Sequence, residues 1–232
     1  MRLLLYLLVF VTSSCHKPIS ESMPAPTAPK KYHYLALGDS YTIGEMVAPP
    51  DNFPSQLSAL MSNDTVDFQP ARIIAKTGWT TDELEAGIIA ADQQQPLRSS
   101  YDFVTLLIGV NNQYRGRTVD NYKPEFEELL NKAIRYAGNK ADHVAVLSIP
   151  DWGVTPFANG RDRAQIAAEI DAYNAANKQI TQLYNVHYID ITPWTREAAN
   201  DLSLLAADGL HPSAKEYKRW AEALKQFFKT KL

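Results

Sequence analysis

Five short apolar runs recur along the chain, at 32–37, 72–75, 103–108, 144–149 and 186–191, each bounded by polar or turn-forming residues. Runs of this length with little polar interruption predict strands buried on both faces. Between them lie segments with apolar residues every three or four positions, which predict helices over 82–91, 122–136, 164–184 and 213–228. In the last of these, Tyr217, Trp220, Leu224 and Phe227 or Phe228 fall at helical spacing and are expected in the core. Strand alternating with helix implies a parallel sheet covered on both faces. The pattern therefore predicts an α/β fold, a three-layer α/β/α sandwich on a five-stranded parallel sheet. Thr81 and Ser213 suit helix starts, and Pro212 stops any helix running through His211, which places that histidine on a loop.

The N-terminus follows a different pattern. Arg2 precedes nine residues, Leu3 to Val11, that are apolar apart from the hydroxyl of Tyr6, followed by Thr12, Ser13, Ser14 and the sole cysteine, Cys15. Such a run is too short to span a bilayer, which takes about 20 residues. A positive start, a short apolar stretch and small residues predict a secretory signal peptide over 1–14. The cysteine directly after it resembles a bacterial lipoprotein signal, although Thr12 stands where an aliphatic residue is usual. That resemblance implies lipidation at Cys15, membrane anchoring through it, and a place in the cell envelope; a periplasmic or secreted protein is the alternative. Residues 15–31 carry Pro18, Pro24, Pro26 and Pro29 and no hydrophobic period. They predict an extended linker of roughly 45 Å, leaving 32–232 as the folded domain.

Composition narrows the chemistry. With 232 residues, 45% hydrophobic and 21% charged, the chain suits one domain with a substantial core. A net charge of -3 without a basic stripe argues against a nucleic-acid partner. Five histidines and one cysteine show no metal-ligand spacing, so neither a metal nor another cofactor is expected. A phosphate loop is not expected either, because Gly38 lacks the companion glycines of such a turn.

What remains is a constellation for acyl transfer. A hydroxyl is a poor nucleophile at neutral pH and needs an imidazole to take its proton and a carboxylate to orient the imidazole. Gly38-Asp39-Ser40 supplies the hydroxyl at the end of the first strand, and Asp208-Gly209-Leu210-His211 supplies acid and base three residues apart, within reach of one turn. Two further segments follow strands: Thr77-Gly78-Trp79 and Gly109-Val110-Asn111-Asn112. Strand C-terminal ends are where ligand crevices form in open α/β sheets. There, the Gly78 backbone N–H and the Asn111 side-chain amide suit donation to a developing oxyanion.

These four segments resemble the signature blocks of the SGNH, or GDSL-type, serine hydrolase family. The resemblance implies a flavodoxin-like sandwich, with Ser40 as nucleophile, His211 as base and Asp208 as its partner. It also implies an oxyanion hole of the Ser40 N–H, Gly78 and Asn111. The third block departs from the usual Gly-x-Asn-Asp, because Asn112 stands in place of the acid.

Aromatic and cationic residues beside these blocks, Tyr41, Trp79, Tyr114, Arg115 and Trp152, are candidate substrate contacts. Arg115 and Arg117 leave room for an anionic substrate. The expected activity is hydrolysis of carboxylic esters through an acyl-enzyme, with short acyl groups on carbohydrates or small molecules as substrates. The rim segments are short and more polar or aromatic than aliphatic, which favours acetyl over long chains. The alternatives are a lysophospholipase or thioesterase, an acyltransferase using the same residues, and a non-catalytic glycan- or lipid-binding lipoprotein.

Overall fold

The computed structural model describes residues 28–232. Its strands are β1 (Lys30–Tyr32), β2 (Tyr34–Asp39), β3 (Val66–Phe68), β4 (Arg72–Lys76), β5 (Phe103–Leu107), β6 (Val144–Leu147) and β7 (His187–Ile189). The α-helices are α1 (Ser40–Ile43), α2 (Phe53–Met61), α3 (Thr81–Gln94), α4 (Val110–Tyr114), α5 (Val119–Tyr136), α6 (Arg163–Leu183), α7 (Thr192–Arg196) and α8 (Ala214–Phe228).

The main sheet has five parallel strands in the order β4-β2-β5-β6-β7. Numbered among themselves, they follow 2-1-3-4-5, the flavodoxin-like arrangement. Every residue of β2, β5 and β6 is buried, as their apolar runs require, whereas the edge strands β4 and β7 are only partly covered. The run at 32–37 divides: Lys30–Tyr32 pairs with β3 in a separate two-stranded parallel sheet, and the main sheet begins at Tyr34.

Helices α2 and α8 pack together on one face, with α3, α5 and α6 on the other. The side chains of Tyr217, Trp220, Leu224 and Phe228 are all fully buried. The Phe228 ring centroid lies 4.4 Å from that of Phe103 on the central strand, so α8 is anchored by aromatic contact with the sheet. Phe227 is only partly buried and stacks on His187, with ring centroids 3.8 Å apart.

Because β2 is followed by β4 on one side and β4 by β5 on the other, the chain reverses direction across the sheet at β2 and β5. The loops leaving their C-terminal ends diverge there and open a crevice. Gly38 sits at its base. A Cβ on Gly38 would lie 2.4 Å from the Leu107 carbonyl and 2.1 Å from the Thr42 hydroxyl, so only glycine lets the first turn of α1 fold back over the strand ends.

Candidate active site

Four segments converge on the crevice. Ser40 opens α1 directly after β2, with Asp39 as N-cap accepting the Tyr41 N–H at 3.0 Å. Gly78 follows β4 in a turn at φ +84, a conformation that favours glycine. Asn111 lies in α4 immediately beyond β5. Asp208 and His211 occupy a loop closed by the Leu205–Pro212 bridge and by the Ala206 N–H donating to the His211 carbonyl at 2.7 Å. Ser40, Gly78, Asn111 and His211 all line one cleft of ≈ 530 Å³, a volume that includes the solvent at its mouth.

His211 Nδ1 lies 2.5 Å from Asp208 Oδ2, while Asp208 Oδ1 accepts the backbone N–H groups of Leu210 and His211, each at 3.1 Å. Partial burial pushes the Asp208 carboxyl up, but the hydrogen bond from His211 and those two backbone donors outweigh it and hold it below the ordinary carboxylate range. An ionised Asp208 accepts only, so Nδ1 carries a proton, and in the neutral imidazole the lone pair then lies on Nε2. The Tyr41 ring, centroid 5.4 Å away, packs beside the imidazole and narrows its freedom. Ser40 and His211 line the same cleft and are not hydrogen-bonded to each other; bonds between nucleophile and base often tighten only on substrate binding.

The turn bearing Gly78 hangs on the segment after β5. Asn111 Nδ2 donates to the Trp79 carbonyl at 2.9 Å, which leaves its second amide proton for the cleft. Arg115 Nη2 donates to the Gly78 carbonyl at 2.5 Å and Nη1 to Glu83 Oε1 at 3.1 Å. Fully buried Asn112 accepts the Thr81 N–H at 3.1 Å and donates to the Thr81 hydroxyl at 2.7 Å, and that hydroxyl in turn bonds Glu125.

The expected substrate contacts divide into two groups. Tyr41, Tyr114 and Trp152 line the cleft. Trp79 does not; its ring lies on α3 so closely that a Cβ on Gly87 would meet it at 2.0 Å. Arg115 is engaged by Gly78 and Glu83, and Arg117 by Asp82 at 2.6 Å and Glu125 at 3.7 Å, so neither stands free for an anionic substrate. Val110, Phe157 and Leu210 complete the apolar part of the lining. Leu210 is legible as the residue before the base, and Phe157 as an apolar residue five positions after Trp152 that could fold over the pocket with it. Cys15 and the stretch 1–14 lie outside the described residues.

Among the described residues, no group of three or more His, Cys, Asp or Glu is placed to hold a metal ion. No described helix is long and apolar enough to cross a membrane.

The sequence matches the profile of the GDSL-like Lipase/Acylhydrolase family over residues 36–219. The protein belongs to that family and is a hydrolase of ester bonds. No curated protein matches it in sequence. Among solved structures, the psychrotrophic esterase EstA from Pseudoalteromonas sp. is 18% identical with a TM-score of 0.62, over 86% of this chain and 97% of that one. TesA is 18% identical with a TM-score of 0.64, over 88% and 100%. Axe2, an acetylxylan esterase from Geobacillus stearothermophilus, is 17% identical with a TM-score of 0.60, over 88% and 96%. These likenesses establish the SGNH hydrolase fold and leave the substrate to the site itself.

Proposed function

We propose that the protein is an exported serine esterase that moves a short acyl group, acetyl above all, from a carbohydrate or small-molecule ester to Ser40 and then to water. His211 Nε2 takes the Ser40 proton as Oγ attacks the ester carbonyl. Asp208 holds the imidazole in the required tautomer and steadies its charge. The Ser40 N–H, the Gly78 N–H and the free Asn111 amide proton receive the oxyanion. His211 then protonates the departing alcohol, and a water deprotonated by the same nitrogen releases the acid.

The observation that carries this reading is the 2.5 Å His211–Asp208 contact in the cleft that also holds Ser40, Gly78 and Asn111.

The cleft walls support a short acyl group. Val110 and Leu210 are its aliphatic lining residues, beside the aromatic Tyr41, Tyr114, Trp152 and Phe157. A long chain gains about 0.8 kcal/mol per methylene only where apolar walls receive it. Met46 is not part of the cleft lining and, at 54% exposure, does not extend those walls. The discriminating experiment is kcat/KM across acetyl, butyryl, octanoyl and palmitoyl esters below their critical micelle concentrations. Values falling from acetyl onward are expected; values rising to octanoyl would transfer the assignment to a lipid esterase.

A further inference from the structure

Behind Tyr114 and Trp152, which form one wall of the cleft, lies a second, open hollow of ≈ 620 Å³, a volume that includes the solvent at its mouth. The two spaces share these two residues and are otherwise lined differently. Tyr114, Trp152 and Phe157 pack as a triangle, with ring centroids 5.3, 6.2 and 6.0 Å apart. Trp152 is buried, but Tyr114 and Phe157 each leave 43% of their surface exposed at the mouth.

The polar side of the hollow is tied together by hydrogen bonds. Trp152 Nε1 donates to Gln113 Oε1 at 2.8 Å, Gln113 Nε2 to Glu169 Oε2 at 2.6 Å, and Gln165 Nε2 to Glu169 Oε1 at 2.8 Å. Arg161 reaches over the partition. Its guanidinium lies 5.1 Å from the Tyr114 ring centre and 5.4 Å from that of Trp152, and Nη2 donates to the Tyr114 hydroxyl at 3.1 Å. Among the described residues it makes no ion pair, unlike Arg115, Arg117, Arg196 and Arg219.

We propose that this hollow is a subsite for the alcohol part of the substrate, an uncharged sugar chain, which makes the enzyme an esterase of acylated oligosaccharides. The inference rests on the esterase reading of Ser40. The ring bearing the ester occupies the cleft against Tyr114 and Phe157, and its neighbour passes Tyr114 into the hollow.

Exposed aromatic faces receive the C–H face of a pyranose. Amides, carboxylates and a guanidinium held in place supply both donors and acceptors to its hydroxyls. A fatty chain would desolvate that polar wall without pairing it, which is unfavourable. A phosphate or uronate would meet Asp162 and Glu169 against the single Arg161. A neutral polyol is the ligand that satisfies all of these groups.

The test compares kcat/KM on nitrophenyl acetate, acetylated xylose and glucose, and acetylated xylotriose and cellotriose. The wild-type enzyme is expected to favour at least one trisaccharide over its monosaccharide by about tenfold or more. Arg161→Ala and Gln165→Ala, both at exposed positions where folding is not at risk, should each reduce that ratio by about tenfold, the loss of one charged or amide hydrogen bond. Turnover of nitrophenyl acetate with no trisaccharide preference, or a preference unchanged in both variants, would overturn the subsite alone. Absence of nitrophenyl acetate turnover in the wild-type enzyme would overturn the esterase reading and the subsite with it.

Discussion

At the scale of single residues, the site is a set of side chains each held by a nameable partner, and the departures are as informative as the matches. Asn112 shows why an amide replaces the acid usual in the third block. The Thr81 hydroxyl has one proton, which goes to Glu125, so its other neighbour must donate, and Asn112 Nδ2 does. Asn112→Asp would face an acceptor with an acceptor inside the protein and should cost about 1–3 kcal/mol in a denaturation midpoint. Arg115 is a positioning residue in this structure. Arg115→Gln should lower kcat several-fold, roughly tenfold at most given its exposure, with KM little changed; a KM effect confined to anionic esters would return it to the substrate. Asp39 is buried, one oxygen taken by the Tyr41 N–H and the other without a partner among the described residues, and burial lifts its carboxyl from 3.8 to about 7. The folded protein keeps this proton after the unfolded chain has released it, so the stability contribution is full below 3.8 and is lost as pH rises toward 7. Urea midpoints of wild type and Asp39→Asn between pH 4 and 8 should therefore diverge in favour of the variant as pH rises; parallel curves would show that Asp39 ionises normally. The sequence made Ser40, Asp208 and His211 legible because the reaction demands those residue types. It could not show that Trp79 folds onto Gly87 or that Arg161 reaches Tyr114, since both depend on the direction of a side chain across a loop.

At the scale of elements, what was legible followed length and burial. The central strands β2, β5 and β6 announce themselves because strands buried on both faces need unbroken apolar runs, and α5 and α8 because each sets an apolar stripe against the sheet. Strands β1 and β3 have three residues each, too few to show a period, and their pairing is a tertiary event. Helix α2 carries its signal in Phe53, Leu57 and Met61, but over nine residues it draws its stability from packing on α8. Its Asn52 cap does two jobs, accepting the Ser55 N–H at 2.8 Å and donating to the Ile43 carbonyl at 3.0 Å. It thereby ties the end of the Ser40 helix to the start of α2. Asn52→Ala should lose about 1–2 kcal/mol of stability, the range for a helix cap, and lower kcat by loosening α1. A stability loss with kcat unchanged would show that α1 is held by other contacts.

At the scale of the whole molecule, a rigid parallel sheet presents one edge of strand ends, and everything the reaction requires hangs from that edge. The stretch ahead of Lys30 is proposed to tether this body to a membrane through an acylated Cys15, and mass spectrometry of the native N-terminus checks it. A mature chain starting at Cys15 with two or more acyl chains is expected, since one chain anchors only marginally; an unmodified or later start would leave plain secretion. The central claim is that the cleft formed by these loops acylates Ser40 with the help of His211 and Asp208. Its most direct test is peptide mass spectrometry of enzyme quenched during turnover of nitrophenyl acetate and, in parallel, labelled with a fluorophosphonate. The expected result is one acetyl and one phosphonyl adduct, both on the peptide bearing Ser40. Neither adduct should form in Ser40→Ala, and adduct formation should slow by about 10⁴ or more in His211→Ala. An adduct on any other residue, or Ser40→Ala retaining ester turnover near the wild-type rate, would contradict it.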